Sequence, residues 1–282
     1  MIRAAVLGSP ISHSLSPVIH NRAYKELGID GRFEAIEVKS GELAEFFTRA
    51  KNDGNWRGFS LTMPLKEEVI GLADSVDPAA RQIGSANYAL FASDSSQKFS
   101  VSSTDTYGFS WVIKKAEAIG TRISTDSKIS VIGAGATARA AIYALDGLVA
   151  EIEVISRSAH RESALQHCVK KSSLSIKPWA ELATAFSCGL IINTTPKETT
   201  DELVAAMKSA PARAGVLIDA IYAPAPRATL AQWRTFDLPV IDGVDLLIAQ
   251  ALPQIRGMTG KDFDLNQMYD ILRREVDLHL AK

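Results

Sequence analysis

The sequence has few cysteines, no excess of charge of either sign and no long hydrophobic run. Its two cysteines, Cys168 and Cys188, are too few for a disulfide framework and lack the spacing of a metal site. Lys and Arg total 31 and Asp and Glu total 32, so the net charge of −1 gives nucleic acids and anionic membranes no broad attraction. No stretch of about 18 residues is both apolar and uncharged, and the N-terminus lacks a signal-peptide pattern. These absences predict a cytoplasmic protein without a metal, nucleic-acid or membrane partner.

The composition is that of an ordinary globular protein, with 46% hydrophobic and 22% charged residues. A length of 282 residues suits one large or two modest domains. Strands are predicted at 2–8, 32–38, 58–62, 86–91, 98–101, 128–133, 151–156, 189–194 and 215–220, and helices at 16–28, 40–51, 111–120, 244–255 and 263–280. Because strands alternate with helical stretches, the predicted fold class is α/β with parallel sheets.

A glycine-rich turn lies between a predicted strand and a helical stretch. It contains Gly133, Gly135 and Ala138, with Ala134 and Ala136 between them. Glycines at this spacing let the backbone approach a pyrophosphate, and the helix N-terminus offers free N–H groups to it. In this strand–turn–helix context the pattern predicts a dinucleotide-binding site.

The end of the next predicted strand indicates which nicotinamide cofactor binds. Glu153 stands about 20 residues after the first glycine, where NAD enzymes place a carboxylate for the ribose. The strand continues past Glu153, however, and its tip is Ser156-Arg157, with Arg161 one turn further on. A guanidinium suits a 2′-phosphate. NADP is therefore the predicted cofactor.

Three polar segments at strand ends are candidates for a substrate site. Ser14 and Ser16 stand at the start of a predicted helix, and Pro17 suits its first position. Their hydroxyls and the helix N-terminus could hold a carboxylate, or Ser16 could simply cap the helix. Lys66 follows the strand predicted at 58–62, and a lone lysine is usually a solvated charge. Asp105 precedes a helical stretch and could be its cap.

In combination these segments resemble the shikimate dehydrogenase family, and the likeness runs almost from end to end. The matching stretches, in family order, are GSPISHSLSPVIHN at 8–21, SLTMPLK at 60–66, GSANY at 84–88, TDTYG at 104–108, GAGATARA at 133–140, SRS at 156–158, NTTP at 193–196, DAIYAPAPRATL at 219–230 and DGVDLLIAQA at 242–251. The histidines of the first stretch, His13 and His20, are interpreted as structural.

The resemblance implies a fold and a reaction. Residues 1–104, completed by 242–282, would form an α/β substrate-binding catalytic domain, and residues 105–241 a Rossmann-type NADP-binding domain. The reaction would be the reversible, NADP-dependent interconversion of 3-dehydroshikimate and shikimate in chorismate and aromatic amino-acid biosynthesis. The protein would act as a monomer or a homodimer.

The resemblance also implies roles for individual residues. The substrate carboxylate would contact Ser14, Ser16 and Tyr222; the ring hydroxyls would contact Thr62, Asn87, Asp105 and Gln250; Lys66 would lie beside the reacting oxygen; and Thr194 and Gly243 would join the glycine turn in holding the cofactor. Hydride addition to a ketone builds negative charge on its oxygen, so a cation or proton donor is needed there. Lys66 can supply both, with Asp105 holding it in place.

Three positions depart from the family pattern. Ser60 replaces an asparagine, Tyr88 stands where threonine is common, and Met258 replaces the tryptophan of a W-T-G segment. Two alternatives stay open: a quinate/shikimate dehydrogenase that prefers NAD, and a nucleotide-binding regulator without catalysis. Ser16 and Arg157 argue against the first, whose members often have threonine at the Ser16 position, and the intact lysine and aspartate argue against the second.

Overall fold

A computed structural model describes residues 1–92, 94, 96, 98–157, 161–223 and 227–281. Ser158 of the SRS match and residues 224–226 of the DAIYAPAPRATL match therefore lie outside the described residues. The chain divides into two compact units, one formed by Met1–Thr104 and Leu247–Lys282 and the other by Asp105–Leu246. The chain returns to the first unit at Leu247, whereas the sequence-based boundary is residue 242.

The regular elements alternate along the chain. The strands are β1 (Ile2–Gly8), β2 (Gly31–Glu37), β3 (Trp56–Leu61), β4 (Ser75–Val76), β5 (Tyr88–Phe91), β6 (Phe99–Ser102), β7 (Lys128–Ile132), β8 (Glu151–Ser156), β9 (Ser173–Pro178), β10 (Leu190–Asn193), β11 (Val216–Asp219) and β12 (Val240–Ile241). The α-helices are α1 (Ser16–Glu26), α2 (Leu43–Asp53), α3 (Pro78–Ile83), α4 (Thr104–Ala118), α5 (Ala136–Leu145), α6 (Glu162–Gln166), α7 (Thr200–Ser209), α8 (Ala228–Arg234), α9 (Gly243–Thr259) and α10 (Leu265–Leu280). Short 3₁₀ segments occur at Glu68–Gly71, Trp179–Ser187 and Lys197–Thr199.

The first unit contains a mixed sheet in the order β2-β1-β3-β5-β6-β4. Its strand β1 is parallel to β2 and β3, and β5 and β6 form an antiparallel pair. Successive side chains of β1 enter different hydrophobic clusters, Ala5 and Leu7 one, Ala4 and Val6 another. Because side chains alternate between the faces of a strand, both faces of β1 are buried.

The second unit contains a sheet in which every pairing is parallel, in the order β12-β11-β10-β7-β8-β9. Its inner strands β10 and β11 are short, fully buried and almost entirely apolar, as expected for a parallel sheet covered on both faces. Ile132, Ile191 and Leu217 pack with Trp233 of α8 in one core cluster. The α/β fold class predicted from the sequence is confirmed, with a Rossmann-type sheet in the second unit.

Helices α2 and α4 begin three or more residues away from their predicted starts. Helix α2 begins at Leu43 rather than at residue 40, because Gly41 has a φ of +86° and the Lys39 N–H donates to Glu42 Oε2 (2.9 Å) in a turn. Helix α4 begins at Thr104 rather than near residue 111. Gly108 lies inside its second turn, and because glycine is a poor helix former, the sequence does not predict a helix there.

His20 is fully buried on α1, where its ring stacks on Phe33 with the ring centroids 3.9 Å apart. Neither ring nitrogen has a hydrogen-bond partner among the described residues. Desolvation therefore lowers the pKa of His20 to about 3. The ring is neutral in the folded protein at any pH near neutrality.

This burial predicts a pH dependence of stability. Between about pH 7 and pH 5 the unfolded chain takes up a proton at His20 and the folded chain does not, so stability present above pH 6.5 is lost as the pH falls. The expected loss at pH 5 is about 2 kcal/mol of unfolding free energy. Urea unfolding at the two pH values should show a smaller loss for His20→Leu. Equal losses in both proteins would assign the effect to other groups.

Candidate active site

The loop between β1 and α1 carries Ser14 and Ser16. Helix α1 begins at Ser16 itself, and the cap position belongs to Leu15, which makes no side-chain capping bond. The alternative that Ser16 caps the helix is therefore wrong. The Ser16 N–H donates to Ser14 Oγ (3.3 Å), and the Ser16 side chain is buried at the start of the helix. The Ser14 hydroxyl thus lies against the first residue of the helix, at the helix end that favours an anion.

The ends of β1 and β3 bring two of the sequence motifs together. The Thr62 N–H donates to Leu7 O (2.9 Å), and the Ser9 N–H donates to Met63 O (3.1 Å). The approach at Gly8 is so close that a Cβ there would lie 2.4 Å from Thr62 Cγ2. The serine loop and the lysine segment are therefore neighbours at the carboxyl ends of parallel strands, where α/β sheets bind ligands.

Backbone hydrogen bonds connect the lysine segment to the segment around Asn87. The Ala86 N–H donates to Lys66 O (2.8 Å), and the Leu61 N–H donates to Asn87 O (2.8 Å). Lys66 is partly exposed, whereas Asn87 is buried. The backbones of Lys66 and Asn87 are thus held close together where the inner strands β3 and β5 meet at one end of the sheet.

The side chains of Asn87, Thr104 and Gln250 form a buried polar cluster within the first unit. Asn87 Nδ2 donates to Gln250 Oε1 and to Thr104 Oγ1, both at 2.9 Å. Asn87 Oδ1 accepts the Thr104 N–H (2.7 Å). Sequence reasoning did not select Thr104, or Gln254 behind it, although Gln254 stands one helical turn after Gln250 on α9.

Asp105 and Tyr222 belong to the second unit. Asp105 is the second residue of α4 rather than a residue that precedes the helix, and it is buried in the first turn, where the helix dipole favours a carboxylate. Tyr222 is half-buried in the segment after β11. The start of this segment is tied down because the Ile221 N–H donates to Asp219 Oδ1 (3.2 Å).

The glycine turn joins β7 to α5 with Gly135 as the helix cap, so no side chain covers the first N–H groups of the helix. Gly133 has a φ of +114°, and a Cβ there would lie 2.4 Å from Thr194 Oγ1. The Thr194 hydroxyl donates in turn to Ile132 O (2.9 Å). Open N–H groups and a side-chain-free approach are what a dinucleotide pyrophosphate requires, so these residues fit the predicted cofactor.

Gly243, at the start of α9, is required by a close backbone approach. A Cβ there would lie 2.6 Å from the carbonyl carbon of Ile221 and 2.7 Å from Ala220 O. Helix α9 therefore begins against the chain that leads to Tyr222, within the same unit.

Two arginines follow the tip of β8, and the second of them contacts the glycine turn. Arg157 is half-exposed, with its guanidinium 4.8 Å from the Trp179 ring centroid and its Nη1 3.8 Å from Glu202 Oε1. Arg161 Nη1 donates to Ala134 O (3.4 Å) and so lies over the turn itself. The strand ends in buried Ser156.

Glu153, whose spacing suggested a ribose ligand, is buried inside the sheet. Its Oε2 lies 2.7 Å from Lys128 Nζ and 2.9 Å from Lys177 Nζ. Hydrogen bonding to Glu153 raises the pKa of both lysines, so both remain charged beside it. The carboxylate therefore stabilises neighbouring strands instead of facing a ligand at their tip.

The described residues include neither a group of metal ligands nor a membrane-spanning helix. His, Cys, Asp and Glu side chains do not come together there in a group that could hold a metal ion. No described helix is both long and apolar enough to cross a membrane.

Comparison with known proteins gives consistent matches. The family model for the shikimate dehydrogenase substrate binding domain matches residues 6–88. A shikimate dehydrogenase (NADP(+)) from Paramagnetospirillum magneticum is 33% identical, covering 92% of this chain and 92% of its own. The crystal structure of Mycobacterium tuberculosis shikimate dehydrogenase is 28% identical, with a TM-score of 0.80, and covers 97% of this chain and 100% of its own. Shikimate 5-dehydrogenase from Thermus thermophilus, solved in complex with NADP(H) and shikimate, is 30% identical, with a TM-score of 0.78, and covers 98% of this chain and 100% of its own.

Proposed function

The chain belongs to the shikimate dehydrogenase family, and we propose that it is an NADP-dependent oxidoreductase that interconverts 3-dehydroshikimate and shikimate. The observation that carries the proposal is the buried cluster of Asn87, Thr104 and Gln250, whose Asn87 segment is joined to Lys66 by a backbone hydrogen bond. Carboxamides from two segments, fixed beside a lysine, suit a ring that carries several hydroxyl groups and one reacting oxygen. The two alternatives are not favoured, because the relatives are named as NADP enzymes.

In this proposal the first unit holds the substrate. Ser14 and Ser16 bind the carboxylate at the N-terminus of α1, and Thr62, Asn87 and Gln250 bind ring hydroxyls. Asp105 and Tyr222 complete the substrate site as the family pattern implies. Several polar groups that converge on a small ligand restrict its orientation, which lowers the entropic part of the barrier.

Lys66 is the proposed acid and base. NADPH supplies the hydride when bound, and negative charge then develops on the substrate ketone oxygen. The Lys66 ammonium stabilises this charge and transfers a proton to the oxygen; in the oxidation direction its amine accepts the hydroxyl proton. Asp105 is proposed to keep the ammonium oriented.

The second unit is proposed to hold the cofactor. The backbone N–H groups at Ala134, Gly135 and Ala136 are assigned to the pyrophosphate, while the Gly133 N–H donates to Ile155 O (2.9 Å) and Gly133 serves through its lack of a side chain. Buried Ala138 lets α5 pack closely on the sheet. The adenosine 2′-phosphate is assigned to Ser156, Arg157 and Arg161, while Thr194 and Gly243 shape the rest of the site.

A four-way assay tests the function. The purified protein is mixed with shikimate or quinate, and with NADP or NAD, and reduced cofactor is followed by absorbance. Turnover of shikimate with NADP, well above the other three combinations, is expected. Preferred turnover of quinate with NAD, or cofactor binding without any turnover, would contradict the proposal in favour of one of the two alternatives.

Ser16→Ala should raise the KM for shikimate about 10- to 100-fold, the value of one charged hydrogen bond, and leave kcat nearly unchanged. The substrate carboxylate is held equally in the ground and transition states, so losing this hydrogen bond weakens the binding of both states by the same amount. Because Ser16 does not cap α1, the thermal midpoint should stay constant. Ser12→Ala, an exposed serine of the same loop, is the matched control. An unchanged KM would remove Ser16 from the substrate site.

A cytoplasmic location and a monomeric or homodimeric state also belong to the proposal. The location is supported by the biosynthetic reaction of the family and is tested by fractionation of cells that express the protein. Sedimentation equilibrium of the purified protein decides between one and two copies, and a larger assembly would contradict the proposal.

A further inference from the structure

Gln254 is a fully buried glutamine whose amide has contacts at both ends. Its Nε2 donates to Gln250 Oε1 (2.7 Å) and to Thr104 Oγ1 (2.8 Å). Its Oε1 accepts from the Ser60 hydroxyl. A buried carboxamide is costly to place unless its hydrogen bonds are made, and here both ends are paired. Gln254 thus links strand β3 to the polar cluster proposed to bind the ring hydroxyls.

These contacts determine which end of Gln250 is free to meet a ligand. Gln250 Oε1 accepts from Gln254 Nε2 and from Asn87 Nδ2, and Gln250 Nε2 donates to Leu247 O (2.8 Å). If the Gln250 amide were rotated by half a turn, its NH₂ group would face the amide hydrogens of Gln254 and Asn87, and its oxygen would face Leu247 O. One of the two Nε2 hydrogens is used by Leu247, and the other is what Gln250 can offer to a substrate hydroxyl.

Gln254 is itself held in one orientation. Its Nε2 donates to Asn87 O (3.4 Å), a backbone carbonyl that can only accept, so its oxygen faces the buried Ser60 hydroxyl and accepts from it. The chain of donors therefore runs from Ser60 through Gln254 to Gln250. Ser60 is also the position where the family pattern has an asparagine, so the carboxamide lacking on β3 is provided from helix α9.

Tyr88 and Met258, the other two departures from the family pattern, lie close to Ser60 between the sheet and α9. Tyr88 is the cross-strand partner of Ser60 between β3 and β5, and Met258 packs with Tyr88 in one hydrophobic cluster. A Cβ on Gly257 would lie 2.3 Å from the Tyr88 hydroxyl oxygen, so the glycine makes room for the tyrosine. All three unusual residues thus belong to one interface between the sheet and α9, the interface that contains Gln254.

We infer that Gln254 is a positioning residue for substrate binding, which sets the orientation of the Gln250 amide and so its hydrogen bond to a ring hydroxyl. The inference rests on the proposed function only for the identity of the ligand. It concerns the substrate side alone, since the contacts of Gln254 all lie within the first unit.

The test compares wild type with Gln254→Met, which keeps the length of the side chain and removes the amide. The dissociation constant of shikimate is measured by calorimetry, together with KM for shikimate and NADP, kcat and the thermal midpoint. We expect shikimate binding to weaken about tenfold, the equivalent of one hydrogen bond, with KM for NADP within about twofold of wild type. Ser60→Ala, which removes only the donor to Gln254, should weaken shikimate in the same direction, by about threefold.

Two further variants separate positioning from stability. Ile255→Ala opens a cavity at the next, fully buried residue of α9 and should lower the thermal midpoint without weakening shikimate. Ser60→Asn combined with Gln254→Ala returns a carboxamide to β3 and should bind shikimate more tightly than Gln254→Ala alone. The inference would be overturned if Ile255→Ala weakened shikimate binding, or if the double variant bound shikimate no more tightly than Gln254→Ala. Wild-type shikimate binding in both Gln254→Met and Ser60→Ala would overturn it as well.

The two proposals fail in different ways. If the wild-type protein binds shikimate and does not reduce NADP with it, the proposed function is contradicted. The calorimetric comparison still decides the role of Gln254 in that case, because binding needs no turnover. If shikimate is turned over and the Gln254 and Ser60 variants bind it as the wild type does, the function stands and the positioning role is wrong.

Discussion

Lys66→Met should lower kcat for shikimate oxidation with NADP by about 10²- to 10⁴-fold, the usual contribution of a positioned proton-transfer group. Methionine keeps the apolar stem of this partly exposed side chain and removes both the charge and the proton. KM for NADP and the thermal midpoint should change little, because the lysine is assigned to the reacting oxygen and not to the cofactor. Steady-state kinetics with both substrates varied gives all the constants needed.

The control for this prediction is Lys25→Met on α1, an exposed lysine of the same unit that should leave kcat unchanged. A Lys66→Met enzyme within about threefold of wild type would exclude Lys66 from the proton-transfer step, given the size of such effects. Asp105→Asn should lose nearly as much activity as Lys66→Met. If the two residues act as a unit, the double variant loses less than the sum of the two, and full additivity would contradict the assignment of Asp105 as the group that orients the lysine.

The sequence predicts the parallel strands of the second unit well because burial on both faces leaves a continuous apolar run. Strand β8 has its predicted ends, Glu151 and Ser156. Strand β9 escapes prediction, since it pairs only with β8 at the edge of the sheet and its SLSIKP sequence alternates weakly and ends in proline. Strand β12 is two residues long and carries no periodic signal at all.

Helix α3 carries clear end signals in its sequence, although it lies outside the predicted helices. Asp77 caps the helix by accepting the Ala80 N–H (2.7 Å), Pro78 follows at the first helical position, and Gly84 ends it with a φ of +64°. These are the residues expected at the two ends of a helix. Only six residues lie between them, too few for an apolar periodicity to draw attention to the segment.

The residues of the candidate site also differ in how far the sequence alone identifies them. Residues in recognisable segments, such as Lys66 and Asn87, can be selected from the sequence. Gln254 cannot, because its importance depends on which end of its amide faces Gln250, and only three-dimensional contacts determine that. Glu153 shows the converse: its spacing suits a ribose ligand, and its burial between two lysines excludes that role.

Arg157→Ala should weaken NADP about 10- to 100-fold in kcat/KM and leave NAD almost unchanged, because a guanidinium–phosphate bond is lost that NAD never makes. In the structure the Arg157 guanidinium stacks near Trp179 and lies 3.8 Å from Glu202 Oε1, a half-exposed pair that a phosphate can displace. Glu202→Gln should therefore improve NADP slightly. Replacing Ser156 by Asp in the Arg157→Ala background should invert the preference, since a carboxylate at this tip repels the phosphate and accepts from the ribose hydroxyls.

The measurement is kcat/KM for both cofactors in the wild type and these three variants, with Arg122→Ala as a control for the general loss of a positive charge. Equal losses for NADP and NAD in Arg157→Ala would mean that Arg157 acts on a part common to both cofactors, and that the 2′-phosphate assignment is wrong. Glu153 could not then take over as a ribose ligand, because its carboxylate is held by Lys128 and Lys177 inside the sheet. Discrimination would have to come from Arg161, whose guanidinium already contacts the glycine turn at Ala134, and Arg161→Ala would become the variant that separates the two cofactors.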